Sequence, residues 1–251
     1  MSDCFLLSQI LLILLVVVLL GTIVYGLRYA FSKKAIAPRR QSLLVNYIAF
    51  GLCFWLAFLA TLAYSGFFEN FETLPPRILV ALVPPLVLIV VLMFSPSFGA
   101  ILKMIPPAWL VYIQSFRIIV EIILWLGFIA GAIPFQMTFE GFNYDIVAGV
   151  TALMAGFLFF GRGRLLRFEA LIWNISGLTL LINILVIAVL STPSPIRIFF
   201  NEPANTVVAF FPFIWLPGFL VPLAFAMHLF SLRQLWSMKP RRRQFGQGRR
   251  S

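Results

Sequence analysis

Seven long apolar runs divide the chain, at residues 5–27, 43–68, 78–94, 108–133, 145–160, 169–190 and 206–230. Each is continuous rather than alternating, unlike the in–out period of a barrel strand. Inside hydrocarbon only a helix or a closed barrel satisfies every backbone polar group. A span needs about 20 apolar residues. The pattern therefore predicts an all-α membrane protein, a bundle of seven transmembrane helices. The third and fifth runs are the shortest, near the lower limit of roughly 17 residues for a span.

Basic residues orient the bundle. Of the 19 Lys and Arg, all but Arg77, Arg117 and Arg197 fall after odd-numbered runs, in the 28–42 segment, at Lys103, at Arg162, Arg164 and Arg167, and in the tail. The positive-inside rule makes that side cytoplasmic. Seven spans then place the N-terminus outside and the C-terminus inside. Residues 1–4 carry no positive charge and no small-residue cleavage site follows the first run, so it reads as a retained anchor rather than a signal peptide.

Composition narrows the class further. The chain has 251 residues, 62% hydrophobic and 11% charged. Soluble domains carry about 45–50% apolar and about 25% charged residues, so a water-soluble globule is excluded, as is disorder. Cys4 lies at the outer edge and Cys53 about ten residues into the second run, roughly 15 Å deep, too far apart for a bridge that needs Cα atoms within ~7 Å. Residues 1–235 are expected to form the transmembrane domain and residues 236–251 a basic cytoplasmic tail, with no soluble domain. In that tail Lys239, Arg241, Arg242 and Arg243 follow the last run directly. Each such charge is worth about 1 kcal/mol at an anionic leaflet. The juxtamembrane position points to lipid rather than nucleic acid as the tail's partner.

The fourth run holds Gln114, Arg117, Glu121 and Trp125 at steps of three, four and four residues, all on one helical face. Arg117 lies ~14 Å and Glu121 ~20 Å from the inner end, straddling the midplane of a core ~30 Å thick. Each charge costs ~2.5–3.5 kcal/mol at mid-helix. Two readings compensate that cost. One is a structural Arg117–Glu121 pair at i, i+4. The other is a ligand or proton site lined by Gln114, Arg117 and Glu121, because intramembrane ionisable groups mark pathways.

Other polar and backbone-breaking residues extend the list. Pro84 and Pro85 interrupt the third run, and Pro212, Pro217 and Pro222 recur every five residues in the seventh. They read as ordinary kinks or as a hinge or cavity wall, their freed carbonyls needing other partners. Asn174, Ser176, Gly177, Thr179 and Asn183 mark the sixth run and suit helix–helix hydrogen bonding or pore lining. His228 is the single histidine. A bis-histidine haem and a His-rich metal site are therefore not expected within one chain. A Ser176–His228 hydrolase is a remote third reading, since nothing in the sequence orients the histidine. The outer loop 134–145 is aromatic and acidic; Asn143 and Asp145 suit the start of the fifth helix, while Glu140 and Thr138 suggest a lid above Glu121.

Phe116-Arg117, Val120-Glu121, Leu124-Trp125, the string Gln136–Gly141 with Asn143 and Asp145-Ile146, and His228–Leu235 together resemble an uncharacterised bacterial, Bacteroidetes-type family of seven-helix integral membrane proteins. The resemblance implies an inner-membrane protein without assigned activity. Retinal proteins require a lysine in the last span, and residues 206–230 contain none. The leading expectation is a non-enzymatic inner-membrane protein that binds or translocates a small molecule, ion or proton at Arg117/Glu121, open to the outside beneath the 134–145 loop. The rival is a structural or sensory subunit acting through a partner protein or a second copy. No cofactor is named by the residues.

Overall fold

The computed structural model describes residues 3–33, 37–161 and 165–238. It is 77% helix, with no strand among the described residues. The helices are α1 (Asp3–Lys33), α2 (Pro38–Tyr64), α3 (Leu79–Phe94), α4 (Pro96–Leu102), α5 (Pro107–Tyr112), α6 (Phe116–Ile129), α7 (Asp145–Phe160), α8 (Arg167–Leu190) and α9 (Val221–Ser237). Five stretches are long and apolar enough to cross a membrane: α1, α2, Pro107–Ile129, α8 and Leu216–Ser237. A sixth arises if α3 and α4, bent by 85°, count as one span, and α7 is a shorter apolar helix of 16 residues. These helices mark a multi-pass membrane protein.

Each apolar run contains a helix; α1 extends past its run to Lys33, and three runs are broken or cut short. The second run stops at Tyr64, where Gly66 takes the left-handed conformation (φ 74°) that glycine adopts freely, and a 3₁₀ turn follows at Phe67–Glu69. The fourth is interrupted by a 3₁₀ turn at Ile113–Ser115 and ends at Ile129, ahead of Gly131 at φ 70°. The seventh departs most. Residues 206–215 form a 3₁₀ turn and a buried loop, and helix begins only at Leu216, through a π-turn at Leu216–Leu220.

Proline marks that irregular start. Pro222 has no N–H to give to the carbonyl four residues back, which is Gly218. The Trp55 indole of α2 donates to that carbonyl at 2.9 Å. Gly218 also lets α2 approach, since a Cβ there would sit 2.2 Å from Leu59 Cδ1. Pro212 precedes the helix and Pro217 lies in the π-turn. Pro84 and Pro85 stay inside α3, with Pro84 on its exposed side.

The two innermost helical stretches are Leu216–Ser237, 67% inside the protein, and Pro107–Ile129, 56% inside, against 17–22% for α1, α2 and α8. α1 packs on α6, α8 and α3 on α9, and α5 on α7. Leu12, Val16, Ile123, Phe213 and Leu220 lie in the shared apolar core. Outward faces such as Val87, Val90 and Val91 of α3 and Leu153 and Met154 of α7 remain exposed, as lipid-facing surfaces require. Arg233 of α9 closes the α3–α4 corner, donating to Leu92 O at 2.6 Å and Ser95 O at 2.7 Å. Lys239, Arg241, Arg242 and Arg243 lie outside the described residues.

Candidate functional site

Arg117 and Glu121 face inward from α6, each 1% exposed. The expected pair between them is not formed: no ion pair joins them among the described residues. Asp145, at the first turn of α7, takes the guanidinium instead. Arg117 Nε donates to Asp145 Oδ2 at 2.6 Å, and its Nη2 pairs with Oδ1 of the same carboxylate. A planar fork on a carboxylate is the strongest hydrogen-bonded pairing the two side chains can make. Helical i, i+4 spacing brings Arg117 and Glu121 near, but the fork reaches sideways to the next helix.

Arg117 has further partners. Nη1 lies 2.9 Å from His228 Nε2, and Nη2 donates to Gly177 O at 3.3 Å. Arginine carries only donors, so His228 Nε2 must present its lone pair. Its proton then sits on Nδ1, 3.0 Å from Asn174 Oδ1, making the imidazole neutral. The Asn174 amide completes the chain by donating to Ala170 O at 2.7 Å and Ser231 Oγ at 3.0 Å. Gln114 Nε2 donates to Ala224 O at 3.1 Å, tying the 3₁₀ turn before α6 to α9. α6, α7, α8 and α9 thus meet in one buried polar network.

Glycines make room for it. A Cβ on Gly177 would meet His228 Cε1 at 2.3 Å, and one on Gly149 would lie 3.3 Å from Arg117 Cβ.

Glu121 belongs to a different arrangement. Its Oε1 accepts from Asn143 Nδ2 at 2.6 Å. Its Oε2 is buried and has no partner among the described residues. Both Glu121 and Asp145 line a cavity of about 100 Å³ walled mostly by apolar side chains, among them Leu181, Ile184, Val208 and Leu216. Asn205 reaches the same cavity, also with an unpartnered Oδ1, while its amide donates to Ala188 O at 3.0 Å. Of the five sequence-marked prolines, Pro217 is on the wall.

The 134–145 loop covers this region. Asn143 reaches from it to Glu121 and Met137 O, and its Oδ1 accepts from the Asp145 N–H at 3.0 Å. Gln136 Nε2 donates from the loop to Ser191 Oγ at 2.9 Å, and Asn183 Nδ2 of α8 donates to Phe142 O at 2.8 Å. Trp125 Nε1 donates to Glu140 Oε1 at 2.9 Å. Trp125, Glu140 and Asn183 therefore hold the loop and do not line the cavity. Gly141 permits the fold, because a Cβ there would meet Phe135 O at 2.4 Å.

Several participants are marked in the sequence without their partners, or not marked at all. His228 lacked an orienting partner along the chain; Asn174, 54 residues earlier, supplies it. His228, Ser231 and Gln234 recur every three residues, a polar stripe along one side of α9 that signals a buried polar contact. Asn205, Ser191 and Thr192 lie between the sixth and seventh runs, in what reads as loop, with no periodic mark. Ser176 is exposed, and both His228 nitrogens are engaged by Arg117 and Asn174. Among the described residues no group of three His, Cys, Asp or Glu side chains is placed to hold a metal ion.

A family model described as Domain of unknown function (DUF8737) matches residues 75–236, from the start of α3 nearly to the end of α9. No curated protein and no solved structure matches the chain.

Proposed function

This chain belongs to the DUF8737 family, and on that premise we propose that it is a seven-span inner-membrane protein that binds, and passes on, a proton or small cation at Glu121. In this reading α3 with α4 and the short α7 complete the spans, the N-terminus faces outward, and the basic tail lies against the anionic cytoplasmic leaflet. One observation carries the reading. Every nitrogen of the Arg117 guanidinium is engaged by Asp145, His228 or Gly177 O, and Glu121 is left with a buried oxygen that has no partner among the described residues and borders a cavity. A buried acceptor without a donor costs about 1–3 kcal/mol, more when charged, and an arriving proton or cation removes that cost. Arg117 does not hold an anionic ligand in this scheme; its work is to fix α6 against α7, α8 and α9.

The completeness of the Arg117 network favours a second reading, a structural or sensory subunit whose output passes through a partner protein. Infrared difference spectroscopy across a pH step separates the two. On the first reading the reconstituted protein shows a carboxyl C=O band that appears on acidification and is missing from Glu121→Gln. A spectrum unchanged by that substitution refutes the Glu121 site and leaves the second reading. Protease access to a tag placed after Ser251 in inside-out vesicles tests the orientation.

A further inference from the structure

The cavity beside Glu121 is more specific than its carboxylate alone. Its unpartnered polar atoms are Glu121 Oε2 and Asn205 Oδ1, both acceptors. The other polar groups on the wall are engaged: Arg117 and Asp145 with each other, and Thr192 Oγ1 as a donor to Val189 O at 2.6 Å. The remaining wall is apolar, with Leu181, Ile184, Val208 and Leu216 in it. An anion meets bare acceptor oxygens and donor atoms that are each already engaged. A bare metal ion finds two oxygens where hard cations take about six, and a hydrated one would leave its water against aliphatic carbon. A proton alone satisfies Glu121 but leaves Asn205 and the apolar space unfilled. About 100 Å³ is room for roughly three water-sized groups at about 30 Å³ each, enough for a chain of about three carbons with one polar head.

Building on the Glu121 reading above, we propose that this cavity is the site of a short amphiphilic primary ammonium ion, its head on Glu121 Oε2 and its alkyl tail along the aliphatic wall between α6, α8 and the start of the last helix. The ammonium supplies three donors and one positive charge. That offsets the carboxylate, and Asn205 Oδ1 stands as a second acceptor on the same wall. Ligand and proton compete for one carboxylate, so uptake of the amine releases the proton Glu121 carries.

The test compares n-propylammonium, 1-propanol and propanoate as ligands of the full-length protein in non-ionic detergent, by calorimetric titration and thermal shift. Propylammonium is expected to bind saturably, with propanoate at least tenfold weaker. Glu121→Gln should weaken propylammonium at least tenfold and leave propanol within about twofold, while Ala188→Phe, which intrudes on the wall, should move the preference to methylammonium. Propanoate binding as tightly as propylammonium to the wild-type protein overturns the assignment without any variant. So does propylammonium affinity unaltered in a monodisperse Glu121→Gln. Should Glu121 show its pH-dependent carboxyl band while propylammonium leaves that band unaltered, the ammonium assignment falls and the Glu121 site stands. If no such band exists, both fall.

Discussion

Removing the Asp145 charge tests the central contact most directly. In Asp145→Asn the Arg117 guanidinium stays buried but loses its counter-charge, and breaking a buried pair from one side costs about 3–5 kcal/mol. Arg117→Met leaves the Asp145 carboxylate in the same position, at a similar cost of about 3–5 kcal/mol. Were the two effects independent, the double variant would lose about 6–10 kcal/mol. It should lose much less, because no charge is stranded. What remains is His228 Nε2 and Gly177 O without the donor each had, about 1–3 kcal/mol apiece. At the midpoints of these ranges the expected coupling is about 4 kcal/mol. Equilibrium unfolding of the four proteins in lipid bicelles, followed by tryptophan fluorescence, measures it. Additivity within ~0.5 kcal/mol would refute the pairing. Glu121→Gln is the control: it keeps an acceptor for Asn143 and removes an unmatched carboxylate, so its stability should stay within about 1 kcal/mol of wild type.

Three more substitutions probe the supports of the site. Gly177→Ala drives a Cβ to 2.3 Å from the His228 ring and should destabilise by about 1–3 kcal/mol, read as a lowered melting temperature and a broadened His228 resonance. Trp55→Phe keeps the ring but deprives Gly218 O of its donor, a loss of about 1–3 kcal/mol that should appear as faster amide exchange around residues 216–222. Gly141→Ala forces the loop off Phe135 O; it should loosen the Asn143–Glu121 contact and speed hydrogen exchange over 134–145, while leaving exchange in α9 unchanged.

How much of this was legible depends on distance along the chain. The seven apolar runs, the all-helical class and the unusual load on the fourth run follow from local pattern alone. So does the inward face of Gln114, Arg117 and Glu121, because helical periodicity fixes which residues share a side. Partner choice does not follow. The i, i+4 spacing makes Glu121 the nearest acid to Arg117 in sequence terms, whereas the guanidinium is satisfied by Asp145, 28 residues on, which reads locally as a helix-starting acid. His228 looks unsupported for the same reason, since Asn174 lies on another helix. The late start of the last helix was hidden because Thr206–Trp215 is as apolar as a span. Hydropathy reports burial, and that segment is buried as a loop. Only the spacing of Pro212, Pro217 and Pro222 hinted at irregular backbone there.

On the seven-span reading proposed above, the brevity of α7 has a mechanical consequence for the surrounding lipid. Sixteen residues at 1.5 Å make a rod of about 24 Å, some 6 Å short of an average hydrocarbon slab. Asp145 at its head is held by Arg117 of α6, so the helix is not free to slide along its neighbours and make up the difference. The leaflet beside Leu153 and Met154 must dimple towards it, at a fraction of a kcal/mol per ångström of mismatch. A protein with one stunted, anchored staff among taller ones is at ease in thin bilayers, and lengthening the acyl chains pulls directly on the arginine clasp at its centre.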